Sequence, residues 1–306
     1  MTAISAGQTP AANQAPPPKK LKAPKINRYA GEGHNRGRWV VFGLLILLVV
    51  IYVYPFLIQI ANSFKTDAEA TQAGMALLPT TWTTAAYQTL FTNGQFPRWF
   101  LNSVIVTIFV TVGRVLFNSM AGYALARLHF VGRKVIFAFV VGVMSVPAVV
   151  LLIPKFLVIR ELGMYNTYFG LIIPLLVDAG GIFIMKNFFE SIPAAVEEAA
   201  HIDGAGTFRT YRSVVMPMAR PALITIIILS FQGSWNELSH FIVASNKPEL
   251  VNLTKGVAGM VSGGLGSGNQ FPLKLAAAAL MTIPVAILFF VFQRRIMNTS
   301  AGAVKG

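Results

Sequence analysis

The feature that most constrains this chain is the charge-free run from Trp39 to Phe64, WVVFGLLILLVVIYVYPFLIQIANSF, in which nearly every side chain is apolar. A helix that is apolar on every side suits lipid, and a bilayer core about 30 Å thick takes roughly 20 residues to cross. Gaps between charges mark further stretches of the same kind. With the first at about 40–61, the others are 102–128 (interrupted by Arg114), 135–159 (Lys155), 168–188 (Asp178, Lys186), 222–243 (Glu237) and 275–292. Lipid offers backbone amides no partner, so each is expected to be helical. The expected fold class is an all-α membrane protein with six transmembrane helices in a domain spanning 39–300. Composition agrees: 12% of residues are charged, about half the share in soluble chains, and 55% are hydrophobic. The absence of cysteine excludes disulfides, thiolate metal sites and cysteine nucleophiles.

A net charge of +14 suits either nucleic acid or a membrane surface, and position decides between them. Seventeen of the 25 Lys and Arg residues fall in the amino-terminal tail, the second and fourth connections and the carboxyl tail. Seven fall on the other side, and Arg114 lies within a span. The positive-inside rule then puts both termini in the cytoplasm of a multi-pass cell-membrane protein, with no nucleic-acid partner. No cleavable signal is expected, because residues 1–38 are hydrophilic and the first apolar run is too long for a signal core. Residues 8–25 are rich in Pro and Lys, so 1–38 reads as a disordered basic cytoplasmic tail held near anionic lipid, with partner binding as the alternative. Residues 301–306 read as a second, short cytoplasmic tail.

Between the fourth and fifth spans, residues 191–221 form a connection far longer than the usual 2 to 8 residues. Ser191 is expected to cap a helix that tolerates Pro193 in its first turn and stops at Gly204 in a left-handed turn. A second short helix is expected from about Thr207, ending before Pro217. Val196, Ala199, Ala200 and Asp203 share a narrow face of small side chains, beside a polar face of Glu197 and His201. Small residues permit close approach and carboxylates can pair with basic groups, so this segment reads as a knob for a socket on another protein; the alternative is a helix lying on its own bundle.

These residues carry a resemblance. Glu198-Ala199-Ala200, three residues, Gly204, nine residues, Val214, one residue and Met216-Pro217 resemble the EAA signature of permease subunits in binding-protein-dependent ABC importers. The family's usual Ile and Leu are Val214 and Met216 here. Weaker strings resemble the smaller maltose-type permease subunit of the carbohydrate-uptake group: Asn102-Ser103, residues 121–127 (AGYALAR), Leu162-Gly163-Met164 with Asn166-Thr167-Tyr168, Trp235-Asn236-Glu237, and the tail 301–306. The resemblance covers roughly 37–306. It implies a second permease subunit, ATPase subunits that hold ATP and Mg, and an extracytoplasmic solute-binding protein. It also implies that Glu198 and Gly204 belong to the region that couples to the ATPases and that 301–306 lie near them; Glu197, Ala199, Ala200 and Asp203, on the helix faces described above, complete the candidate coupling residues.

The chain carries no energy source of its own. No Gly-Lys pair exists to complete a phosphate-gripping loop. The glycine cluster 263–268 is followed by no helix start, and is expected to be a flexible external loop. His201 and Asp203 lack a third ligand for a metal, and no GxSxG elbow occurs. The subunit is therefore expected to be non-catalytic, without metal or bound cofactor.

Polar groups inside spans are costly and face protein or water. Arg114 and Asn118 share a helix face; Asp178 sits beside Gly180-Gly181. Trp235, Asn236 and Glu237 combine a flat aromatic with hydrogen-bonding groups, which suits a sugar. These six are candidates for the substrate path, with internal pairing as the alternative. Pro55, Pro147, Pro154, Pro174 and Pro284 are possible kink sites. The function expected is ATP-driven sugar or oligosaccharide import. An ion-coupled secondary carrier is the competing class, but it gives the 191–221 knob no purpose.

Overall fold

The computed structural model describes residues 35–92, 94–261 and 270–303, with side chains left out at 35–38, 261 and 294–303. The expected amino-terminal tail and glycine-rich loop thus lie outside the described residues, apart from Asn35–Arg38, which are helical backbone. All the described regular structure is helical, so the protein is an all-α membrane protein. Contacts divide the chain into Met1–Val53 and Tyr54–Gly306.

The described part of the first unit is the start of α1 (Asn35–Ser63), whose side chains from Trp39 to Val53 are exposed. The second unit takes up α1 from Tyr54, with Pro55 accommodated inside the helix. Residues 64–84 follow as an ordered connection around α2 (Asp67–Gln72), where Thr66 Oγ1 accepts the Glu69 amide. Lys65 is buried and donates to the carbonyls of Ala73 at 2.8 Å and Ala76 at 2.7 Å. Glu69 accepts the Thr80 amide at 2.6 Å, a bond that holds its carboxyl below the ordinary value. α3 (Ala85–Thr92) leads to α4 (Phe96–Arg127), the longest helix of the interior.

Next come α5 (Arg133–Met144) and α6 (Leu152–Glu161), α7 (Tyr168–Ile172), a 3-10 turn at Ile173–Leu175 holding Pro174, and α8 (Ala179–Ser191). α9 (Ala194–Ile202) and α10 (Thr207–Thr210) precede a π turn at Tyr211–Val215 and α11 (Met216–Met218). α12 (Arg220–Trp235), α13 (Ser239–Ala244), α14 (Leu253–Val261) and α15 (Phe271–Ala303) complete the chain.

Among the described residues, four stretches are long and apolar enough to cross a bilayer: Trp39–Ser63, Phe96–Arg127, Tyr168–Ser191 and Phe271–Gln293. A fifth arises if Thr207–Met218 and Arg220–Trp235, bent by 81°, count as one. The stretch expected at 135–159 is two shorter helices, α5 and α6, because Pro147 falls in the intervening break at 145–151 and cannot continue a hydrogen-bonded ladder. The stretch expected at 222–243 likewise ends its long helix at Trp235 and resumes as α13. Pro217 does not stop the helical path after Thr207, since it sits in the first turn of α11, where its missing N–H costs nothing.

α4 is the central strut, packed against α8 and α12. Near its end, Gly122 permits a close backbone approach: a Cβ there would lie 2.6 Å from Met185 Cβ and 2.9 Å from the Lys186 backbone nitrogen. One core cluster gathers around Tyr123, Met185, Phe189, Tyr211 and Val215 at this end. A second forms at the start of α4 around Phe96, Trp99, Trp235 and Leu253. Between them, Val106 and Val110 meet Ile159, Leu171 and Phe241.

Candidate functional site

The segment after α8 turns outward because Ile192 and Pro193 are extended, with ψ of 130° and 134°. Ser191 does not cap α9 as its sequence suggested. Its hydroxyl donates to Phe188 O within α8, and Pro193 takes the cap position without a side-chain bond. At the other end Gly204 has φ of +79°, which a residue without Cβ adopts freely. The Ala205 amide then reaches Ala200 O at 2.9 Å, closing the helix in a Schellman turn. His201 Nδ1 lies 3.0 Å from Ala205 O, and no cluster of three metal-binding side chains occurs among the described residues.

α9 presents two faces. Ala200 and Glu197 are buried, and Val196 packs against the cluster around Tyr123. Glu198, Ala199, His201 and Asp203 are exposed. Sequence reasoning missed two large apolar side chains exposed on this segment: Ile202 is 87% exposed and Phe208, on α10, 65%. Their signal was available, since neither position matches the buried stripe of its helix.

Glu197 was expected on the outward polar face and lies instead against the bundle. Its Oε1 is 2.9 Å from Arg127 Nε, a meeting of charges, and its Oε2 accepts the Tyr123 hydroxyl at 3.1 Å. The two charged side chains are only 16% and 12% exposed. Arg127 also donates to Phe189 O at 2.6 Å and to Ile192 O, carbonyls where α8 ends. Tyr211, just beyond the projection, shares a 2.7 Å bond with Ser119 and packs its ring against that of Tyr123.

Among the bundle's polar residues, three come together. Asn118 Nδ2 donates to Asp178 Oδ2 at 2.9 Å, and Arg114 Nε donates to Leu175 O at 2.7 Å while lying 3.5 Å from the same carboxylate. Asp178 Oδ1 accepts the Gly181 amide at 2.7 Å, so this mid-span charge caps α8 where the 3-10 turn breaks the helix. Trp235, Asn236 and Glu237 do not join them. Trp235 is 1% exposed, stacks on Phe231 and donates to Met281 O at 3.1 Å, so in this conformation it offers no stacking platform. Asn236 is exposed at the end of α12, and Glu237 Oε1 accepts the His240 amide at 2.9 Å, opening α13.

Two of the weak strings, Asn102-Ser103 and Asn166-Thr167-Tyr168, meet near the other end of α4. Asn102 donates to Glu249 O and Val251 O, both at 2.8 Å, and accepts the Tyr168 hydroxyl at 2.6 Å. Ser103 accepts the Leu253 amide, and Asn166, at φ +63°, accepts from Ser245 and Asn246. The bonds to Asn102 and Ser103 fasten the stretch before α14 to α4, and those to Asn166 fasten the residues after α13 to the turn between α6 and α7.

A bundle of long apolar helices, with a helical elbow held against it on one face, defines a multi-pass membrane protein. Residues 118–298 match the family described as the binding-protein-dependent transport system inner membrane component, and the chain belongs to that family. It is thereby a membrane-embedded permease subunit, not an enzyme. It is 32% identical to the diacetylchitobiose uptake system permease protein of Streptomyces coelicolor, over 90% of this chain and 91% of that one. It is 31% identical to the trehalose transport system permease protein of Mycobacterium tuberculosis, over 88% and 97%. A solved chain from a bacterial ABC transporter involved in the import of the acidic polysaccharide alginate superposes with a TM-score of 0.75 at 28% identity, covering 87% of this chain and 98% of that one. This membership gives no support to a carrier working alone.

Proposed function

We propose that the chain is one of two permease subunits of an ATP-driven importer of sugars or oligosaccharides in a bacterial plasma membrane, with both termini cytoplasmic. ATPase subunits hold ATP and Mg, an extracytoplasmic binding protein delivers the solute, and the permease pair alternates access to it. One observation carries the reading: α9 is fixed to the bundle on one side and free on the other. Glu198, Ala199 and Asp203 are the surface for an ATPase cleft, with Gly204 turning the chain and Ile202 and Phe208 as apolar anchors, since large buried side chains at the centre of a contact supply most of its energy. The uptake systems named for the relatives support the saccharide class. Arg114, Asn118 and Asp178 are the group proposed to border the solute path, with Asn236 and Glu237 nearer the opposite end and Trp235 as their support.

Glu198→Lys tests this. The variant is expected to insert in the membrane normally and to lose co-purifying ATPase and uptake, because a cation replaces the carboxylate offered to basic groups. Normal assembly and uptake in that variant would contradict the assignment.

A further inference from the structure

Glu197 and Glu198 are adjacent carboxylates about 100° apart around α9, and that angle puts them in different surroundings. Glu198 is exposed; Glu197 is buried against Arg127 and Tyr123. We infer that Arg127, Tyr123 and Glu197 are positioning residues that make the elbow and the long strut α4 move as one body, so that force applied to α9 is delivered to the membrane helices. The inference rests on the proposal that α9 meets an ATPase.

The geometry carries it in three steps. Arg127 is the last residue of α4, and its guanidinium touches three things: the Glu197 carboxylate on α9, and the carbonyls of Phe189 and Ile192 where α8 passes into the elbow. A charge buried this way is held firmly, since each partner lost leaves a buried ion or donor uncompensated. Tyr123, one turn earlier on α4, gives the same carboxylate a second bond, and its ring packs edge-on against Phe189 at 5.7 Å and tilted against Tyr211 at 5.2 Å. The carboxylate is thus held from two successive turns of one helix, which resists both sliding and rotation of α9. Ordinary apolar contacts around Val196 would allow either, because they have no preferred direction.

The consequence separates coupling from docking. Weakening the link leaves the outward face of α9 intact, so ATPases still bind and close, while less of their motion reaches α4. The test uses the whole importer in proteoliposomes with its ATPase and binding protein, and measures ATP hydrolysed per solute imported. Glu197→Gln keeps an acceptor for Tyr123 and removes the charge facing Arg127; it is expected to raise that ratio severalfold with ATPase co-purifying at the wild-type level. Tyr123→Phe keeps both ring contacts and removes one bond, and is expected to raise it less; it carries the test if Glu197→Gln does not assemble. A merely structural role would lower thermal stability without moving the ratio, so a wild-type ratio in the assembled variants overturns the inference. Loss of ATPase co-purification in an assembled Glu197→Gln would place Glu197 at the docking surface and overturn it as well. If the wild-type chain retained no ATPase, the proposed function itself would fall, and the link with it.

Discussion

Gly122→Ala puts a single methyl group into the crossing of α4 and α8. That methyl carbon would sit 2.6 Å from Met185 Cβ, 2.9 Å from the Lys186 nitrogen and 3.1 Å from the Met185 carbonyl carbon. A flexible side-chain tip could swing away, but two of these atoms are backbone and the third is a Cβ, so the helices must separate. Inserting a methyl into a packed interior costs about 1–3 kcal/mol, and a rigid obstacle puts this site at the upper end. Against that, Ala in a helix interior gains about 0.5–1 kcal/mol over Gly. The net expectation is a loss of about 2 kcal/mol. Gly142→Ala on α5 is the matched control, because nothing lies within 4 Å of the added methyl and only the gain remains. Thermal unfolding of the purified protein in detergent, followed by tryptophan fluorescence, should place the two variants on opposite sides of the wild type. A Gly122→Ala protein as stable as the wild type would refute the claim that backbone proximity, and not side-chain volume, sets the spacing of these helices.

Other perturbations follow the same logic. Arg114→Met leaves the Asp178 carboxylate without its cation and should cost about 2–3 kcal/mol in the same unfolding assay, and Arg114→Met/Asp178→Asn should recover part of that loss. Ile202→Ser and Phe208→Ser remove exposed side chains, so stability should stay within about 0.5 kcal/mol of wild type while ATPase co-purification falls. Glu69 has its carboxyl lowered first by the Thr80 amide, so its contribution is complete above the ordinary carboxylate value and is lost as pH falls through the depressed one. Hydrogen exchange at Thr80 should therefore accelerate, beyond its intrinsic pH dependence, only in the acid range, and Glu69→Gln should remove that transition.

The readings that came through from sequence were local ones. Charge gaps located the long apolar helices, since the cost of a charge in lipid does not depend on the fold around it. Gly204 was legible as a left-handed stop because the turn is written in adjacent residues. Ser191 misled because a cap depends on where the neighbouring helix already ends, and α8 runs on through Ser191; Pro147, legible as a site of distortion, breaks the helical path outright. Asp178 read as a charge stranded in a span, while its place at a helix start, beside Asn118 and Arg114, required knowing that Pro174 and the 3-10 turn interrupt that span.

What the sequence alone determined is the class of molecule: hydropathy and charge placement marked a lipid-embedded α-helical chain, and the spacing from Glu198 to Pro217 marked its family. Tertiary structure decided which way each polar residue faces. Glu197 and Glu198 differ by one position and carry the same group, yet one meets Arg127, 70 residues earlier, and the other meets water. Asn102 reaches Tyr168 across 66 residues and Val251 across 149. Direction around a helix is set by what the helix packs against, and that information lies in distant parts of the chain brought together only by folding.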